Sequence, residues 1–190
     1  MELAARRLLA LSGKRFSGKD TFAALLKGRV PELAAYACAD ESKRLLVEVE
    51  ARHGVAVDLA RLTEDRAYKE LWRTQLTQLT VDAIAADPHV FVRAVARRLE
   101  EDPRPALLTD LRLKLELDWL RPRFDLTVVR LLRSDAARAS SGFRFDSVKD
   151  LHPTETELDD PALWDVTISN DGTLEELAGR AREVAERYLP

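Results

Sequence analysis

The stretch LALSGKRFSGKDTF, residues 9–22, sets Lys14, Arg15 and Lys19 and two glycines between a short apolar run and the start of a helix-like segment. Gly13 to Lys19 satisfies G-x-x-x-x-G-K, the spacing in which glycines let backbone N–H groups curl around phosphate oxygens. A helix expected at 19–29 adds the positive end of its dipole to the same spot. The chemistry requires a strand before the turn and a helix after it, and residues 7–12 and 21–26 read that way. Gly13, Lys14, Arg15, Ser17, Gly18 and Lys19 are therefore candidate phosphate ligands. Lys19 would reach the β- and γ-phosphates, with Lys14 and Arg15 adding charge at the tip. A surface turn with accidental charges is the competing reading.

One position departs from the usual pattern. Asp20 stands where Ser or Thr normally offers a hydroxyl to Mg²⁺, and Thr21 comes one residue late. One helical residue rotates a side chain by about 100°, so Thr21 does not simply take over. A carboxylate is itself a hard oxygen ligand, which makes Asp20 a candidate for holding Mg²⁺. Its plainer role is to complement the helix N-terminus.

Outward from this turn, short apolar runs recur at 34–39, 106–110, 126–132 and 165–169. Between them lie helical periodicities at 42–53, 64–86, 89–101, 114–120, 134–140 and 173–188. The alternation predicts an α/β fold with a mainly parallel five-stranded sheet flanked by helices. Asp87-Pro88 ends the long central helix, and Thr173-x-x-Glu176 is a capping-box pattern opening the last one. Residues 146–161 carry little periodicity and are expected to form a loop. A single domain over 1–190 is expected, with a small lid at about 133–145.

Composition excludes several function classes. Thirty Lys+Arg against 33 Asp+Glu leave a net charge of −3, so no whole-chain basic field argues for nucleic acid. The single cysteine, Cys38, excludes an internal disulfide and reads as a small buried thiol. No run approaches a membrane span and no secretory leader is recognisable, so a cytoplasmic protein is expected, as a monomer. The three histidines are scattered without metal-ligand spacing, and no G-x-S-x-G or paired-cysteine site occurs.

Further cations have no evident partner in sequence. Trp72, Leu76, Leu79 and Ala83 fall at spacings of four, three and four, a buried helical stripe that Lys69 extends toward the N-terminus. Arg73 lies four residues from Lys69, a like-charge pair that repels unless an anion sits between. The plainer arrangement pairs Asp65 with Lys69 and sends Arg73 to water. Arg93 follows Phe91-Val92. Asp110 and Arg112 follow the run 106–108, at the carboxyl end of a strand, where open α/β sheets place their ligands. Asp110 is a second candidate for Mg²⁺. Arg130, Arg133, Arg138 and Arg144 surround the lid stretch, which could bring guanidinium groups over a transferring phosphoryl group. An acceptor that is already a phosphate needs such cations more than it needs a base.

On these residues the chain resembles the animal-type phosphomevalonate kinases, which have the nucleoside monophosphate kinase-like P-loop fold. The resemblance rests on Ser12 to Asp20, including the Asp after the lysine. Later blocks that carry it are Tyr68-Lys69-Glu70, Ala86-Asp87-Pro88 with Phe91 and Arg93, and Asp110-Leu111-Arg112 with Trp119. It implies that ATP, with Mg²⁺, gives its γ-phosphate to 5-phosphomevalonate, making a diphosphate. It implies ATP and metal roles for Lys14, Arg15, Lys19 and Asp20, acceptor roles for Lys69, Arg73 and Arg93 on helices at about 42–101, and charge neutralisation by Arg112 and Arg138. Asn170 resembles the family residue near the adenine loop. The chain departs from the pattern at Leu113, where a second arginine is expected, and near Ser141, where a lid arginine is missing. Phage-type deoxynucleoside monophosphate kinases share the P-loop Asp, the strand-end Asp-x-Arg and an Asn-x-Gly. Ala39 to Lys43 resembles a segment of that group, which adds Lys43 to the acceptor candidates. A deoxynucleoside monophosphate acceptor and a regulatory ATPase without an acceptor are the alternative readings.

Overall fold

The computed structural model describes residues 6–189. Five parallel strands form one sheet: β1 (Arg7–Ser12), β2 (Ala34–Tyr36), β3 (Ala106–Leu108), β4 (Asp125–Leu132) and β5 (Val166–Ser169). Their order is β2-β3-β1-β4-β5, with β1 in the middle. Leu8 faces Ala106 on one side and Leu126 on the other, and Ser12 at the end of β1 faces Arg130. Strands covered on both faces read as continuous apolar runs, which is why RLLALS is buried from Leu8 to Ser12.

The chain divides into two compact units, Met1–Tyr36 with Asp102–Pro190, and Ala37–Glu101. The first contains the whole sheet. Leu9, Leu11, Leu107, Val129 and Leu131 pack with Phe22 and Leu26 of α1 (Lys19–Arg29) in one core. Leu177, Ala181 and Val184 of the C-terminal helix, Leu174–Tyr188, join that core. That helix opens on the capping box read from sequence: Thr173 N–H donates to Glu176 Oε2 at 2.7 Å, and Glu176 N–H to Thr173 Oγ1 at 3.2 Å.

The second unit is helical: α2 (Cys38–Arg52), α3 (Leu59–Glu64), α4 (Arg66–Leu71), α5 (Arg73–Ala86) and α6 (Val90–Glu101). Leu46, Val57 and Leu62 are its buried cluster, with Tyr68, Trp72, Leu76 and Leu79 half-buried against it. Among the described residues no helix is long and apolar enough to cross a membrane.

Four boundaries differ from the sequence reading. The apolar run 34–39 is strand only to Tyr36, because helix α2 begins at Cys38 with Asp40 and Glu41 in its first turn, where carboxylates favour the dipole. Cys38 is buried there, on a helix. The strand expected at 106–110 ends at Leu108, and Leu111 N–H then bonds Leu11 C=O at 3.1 Å. The single helix expected over 64–86 is broken twice. The Asp65 carboxylate caps the Tyr68 N–H at 3.0 Å and so starts a new helix, and Trp72 leaves helical geometry between α4 and α5. Finally, residues 146–161 are not a plain loop. They hold one-turn helices α9 (Ser147–Asp150) and α10 (Pro153–Thr156), after α7 (Lys114–Leu120) and α8 (Asp135–Ser140) in chain order. With these, the C-terminal helix is α11.

Candidate active site

The turn between β1 and α1 is shaped by its glycines. Gly13 has φ 150° and Gly18 φ 95°, conformations that side chains rarely adopt. A Cβ on Gly13 would lie 2.7 Å from Leu131 C=O, and one on Gly18 would lie 2.2 Å from Asn170 Nδ2. Asn170 uses that nitrogen to donate to Ser17 C=O at 2.9 Å, which ties the turn to the end of β5. Phe16, between the glycines, also has positive φ, 61°, and its ring meets Phe143 edge-on at 5.8 Å. Backbone held in such regions concentrates at functional sites.

Lys19 lies under this turn, almost buried. Its ammonium donates to Gly13 C=O at 2.5 Å and Lys14 C=O at 3.0 Å. Burial, and next the nearby Arg112 guanidinium, lower its pKa from 10.5 to about 8, against the opposing pull of Glu155 and Asp20. Ser17 Oγ is buried without a hydrogen-bond partner among the described residues. A buried hydroxyl with no protein partner is open to a polar ligand. Asp20 and Thr21 are exposed on the first turn of α1.

Other segments of the same unit bring guanidinium groups here. Arg112 follows β3, and its backbone is fixed by Glu116, whose Oε2 accepts from Arg112 N–H at 2.9 Å and Leu113 N–H at 3.0 Å. Arg138, on α8, is buried, donates from Nε to Arg15 C=O at 2.9 Å and stacks 3.7 Å from the Phe143 ring centroid. Arg130, on β4, donates to Ser12 Oγ at 2.9 Å and lies over Trp164 at 5.1 Å. A cavity of about 1110 Å³, lined by Lys14, Ser17, Arg130, Arg133, Arg138 and Trp164 among others, opens beside the turn. Asp110 is half-buried just past β3.

Five of these cations, Lys14, Arg15, Arg112, Arg130 and Arg138, already hold a carboxylate. Lys14 Nζ meets Asp159 Oδ2 at 2.7 Å, and Arg130 takes Asp159 Oδ1 at 2.5 Å. Arg15 pairs with Asp150 at 3.1 Å, with Arg138 3.9 Å from the same oxygen. Arg112 pairs with Glu155, whose other oxygen accepts the Arg15 backbone N–H at 2.6 Å. None of these three acids was a sequence candidate, because 146–161 has no periodicity. The available signal was charge: Asp146, Asp150, Glu155, Glu157, Asp159 and Asp160 in one short stretch, in a chain with several cations that local partners left unexplained.

The second unit holds the remaining candidates. Lys43 is buried on α2 and donates to Asp40 at 2.6 Å. Lys69 is half-buried on α4, with no acidic partner among the described residues. Burial first, then the charges of Lys43 and Arg73, lower its pKa. The pairing of Asp65 with Lys69 does not occur: Asp65 takes Arg61 at 3.1 Å. Arg73 is exposed and pairs with Glu70 at 2.6 Å, and Arg93 is exposed and pairs with Asp87.

Solved structures share this architecture. The protein TT1252 from Thermus thermophilus superposes with TM-score 0.54 at 22% identity, covering 96% of this chain and 98% of that one. A gluconokinase from Sinorhizobium meliloti 1021 gives 0.53 at 16% identity, over 98% and 96%. A shikimate kinase from Acinetobacter baumannii in complex with shikimate gives 0.52 at 14% identity, over 95% and 93%. These likenesses bear on the fold, that of the P-loop kinases. The family described as phosphomevalonate kinase matches residues 11–126, from the end of β1 through the phosphate-binding turn, the helical unit and Arg112 into β4. With that match over more than half its length, the chain belongs to the phosphomevalonate kinase family of phosphotransferases.

Proposed function

We propose that this kinase transfers the γ-phosphate of ATP to the phosphate of 5-phosphomevalonate, yielding ADP and 5-diphosphomevalonate. The observation that carries the reading is the convergence of Lys14, Arg15, Lys19, Arg112, Arg130 and Arg138 on one glycine-shaped turn. Phosphoryl transfer needs positioning and charge neutralisation more than covalent help. In this reading an oxygen of the acceptor phosphate attacks the γ-phosphorus in line while the bond to the β–γ bridging oxygen breaks, and the electron pair leaves on ADP. Lys19 and the backbone N–H groups of residues 13–20 hold the β- and γ-oxygens. Arg112 and Arg138 offset the charge on the phosphoryl group in transit. Asn170 fixes the turn from its far side, near the expected base.

Nothing in the scheme requires a general base, since the acceptor arrives as an anion. The acceptor itself is read from the helical unit. Lys69, which makes no ion pair among the described residues and feels Lys43 and Arg73 more strongly than Asp40, suits a phosphate better than a neutral alcohol. Among the described residues no three acidic, histidine or cysteine side chains cluster as a metal cage. Magnesium in kinases is held largely by water and phosphate, and the exposed Asp20 and half-buried Asp110 carboxylates fit that mode. The ion would neutralise β- and γ-oxygens when bound.

Leu113 favours one other acceptor. Its apolar side chain stands where a second arginine would grip phosphomevalonate, which leaves a deoxynucleoside monophosphate as the second reading. Coupled ATP consumption decides between them, measured with phosphomevalonate, with the deoxynucleoside monophosphates and without acceptor. Stimulation by phosphomevalonate alone is expected. Stimulation by a nucleotide would replace the acceptor, and acceptor-independent hydrolysis would replace the transfer.

A further inference from the structure

We propose that the segment 146–160 is a built-in competitor of the nucleotide, its carboxylates standing in for phosphate oxygens until the nucleotide displaces it. The inference rests on the phosphate-binding reading of the 13–20 turn. Glu155 bridges the Arg15 backbone N–H and the Arg112 guanidinium, one donor from the turn itself and one from beyond β3. Asp159 divides its two oxygens between Lys14 and Arg130, and Asp150 lies between Arg15 and Arg138. Five cations assembled from separate parts of the chain are thus met by three acids from one segment. A polyphosphate bound by the turn's own donors, Lys14, Arg15 and the Arg15 N–H, would stand against those carboxylates at contact distance, and like charges do not share such a site.

The way the segment is held suits displacement. Its helices are single turns. Val148 and Leu151 are 81% and 65% exposed, and Phe145 just before them is 66% exposed; Leu158 is the apolar anchor, 2% exposed. Segments with little apolar burial open at low free-energy cost. The acids also leave donors unused: Ser17 Oγ and Arg130 Nε are buried without partners among the described residues. The simpler alternative is that the acids only orient the arginines and stay in place when nucleotide binds.

Hydrogen exchange on the wild-type protein, with and without a non-hydrolysable ATP analogue, separates the two. The expected result is slower exchange at 13–20 together with faster exchange at 146–160. Protection at 13–20 with unchanged or slower exchange at 146–160 overturns the competitor while leaving the phosphate site standing. No change at 13–20 removes the phosphate site, and the competitor with it. As a second measurement, the Glu155→Gln/Asp159→Asn variant should bind inorganic tripolyphosphate at least about fivefold tighter than wild type, since the closed form no longer withholds the site. Equal or weaker binding by a folded variant overturns the proposal, and where the variant does not fold the exchange measurement decides.

Discussion

Replacing Lys19 by methionine keeps the aliphatic stem in its slot and removes only the ammonium. The native protein holds that group at a pKa of about 8 instead of 10.5, chiefly through burial. Folding therefore disfavours the charged form by about 3 kcal/mol at neutral pH. Against this stand the bonds to Gly13 and Lys14 carbonyls, worth about 1 kcal/mol each. The variant should then be about 1 kcal/mol more stable than wild type at pH 7. The sign changes with pH. Between 8 and 10.5 the unfolded chain binds the proton that the native one has released, so wild-type stability gains about 2 kcal/mol relative to the variant by pH 9.5. Urea unfolding of both proteins at pH 7 and 9.5 measures this, and turnover should drop at least about a hundredfold in the variant. Parallel stability curves across that range, or a variant several kcal/mol weaker at pH 7, would refute a desolvated, functional ammonium at this position.

Three further outcomes are expected. Arg112→Ala should lower kcat about a hundredfold while the KM for ATP stays within about threefold, because its guanidinium serves charge developing in transit; equal losses in both would assign it to ground-state binding. In wild type, kcat/KM for ATP should fall as pH rises through about 8, where Lys19 loses its proton, and the Arg112→Ala variant should move that limb upward; a flat profile to pH 10 contradicts it. Gly18→Ala should cost about 1–3 kcal/mol in thermal unfolding, since its Cβ would strike Asn170 at φ 95°, and a wild-type melt would contradict the clash.

How much of this was legible in sequence depended on periodicity. β1, the turn and α1 could be read because apolar run, glycines and helix succeed one another without ambiguity, and α1 spans the expected 19–29. The parallel sheet followed from the alternation of runs. The breaks at Asp65 and Trp72 were hidden because the apolar stripe continues across them, while the cap that restarts the helix is a single carboxylate. Arg112 and Arg138 were legible as cations near expected ligand positions, and Arg138 is buried against the turn. Glu155 and Asp159 were not, since their partners lie far along the chain, at Arg15 and Arg112 for one and at Lys14 and Arg130 for the other, and no local spacing encodes such contacts.

The central place of β1 also has a consequence for how the molecule is assembled. During synthesis β1 meets its neighbours, β3 and β4, only about a hundred residues later, and such distant pairings are slow to form. Until β4 has emerged, Ser12 has no Arg130 beside it and the bend after it has nothing to brace its curvature. The phosphate-binding bend is thus made well before the strand that braces it, so a nascent chain gains its grip on nucleotide only once β4 has paired with β1.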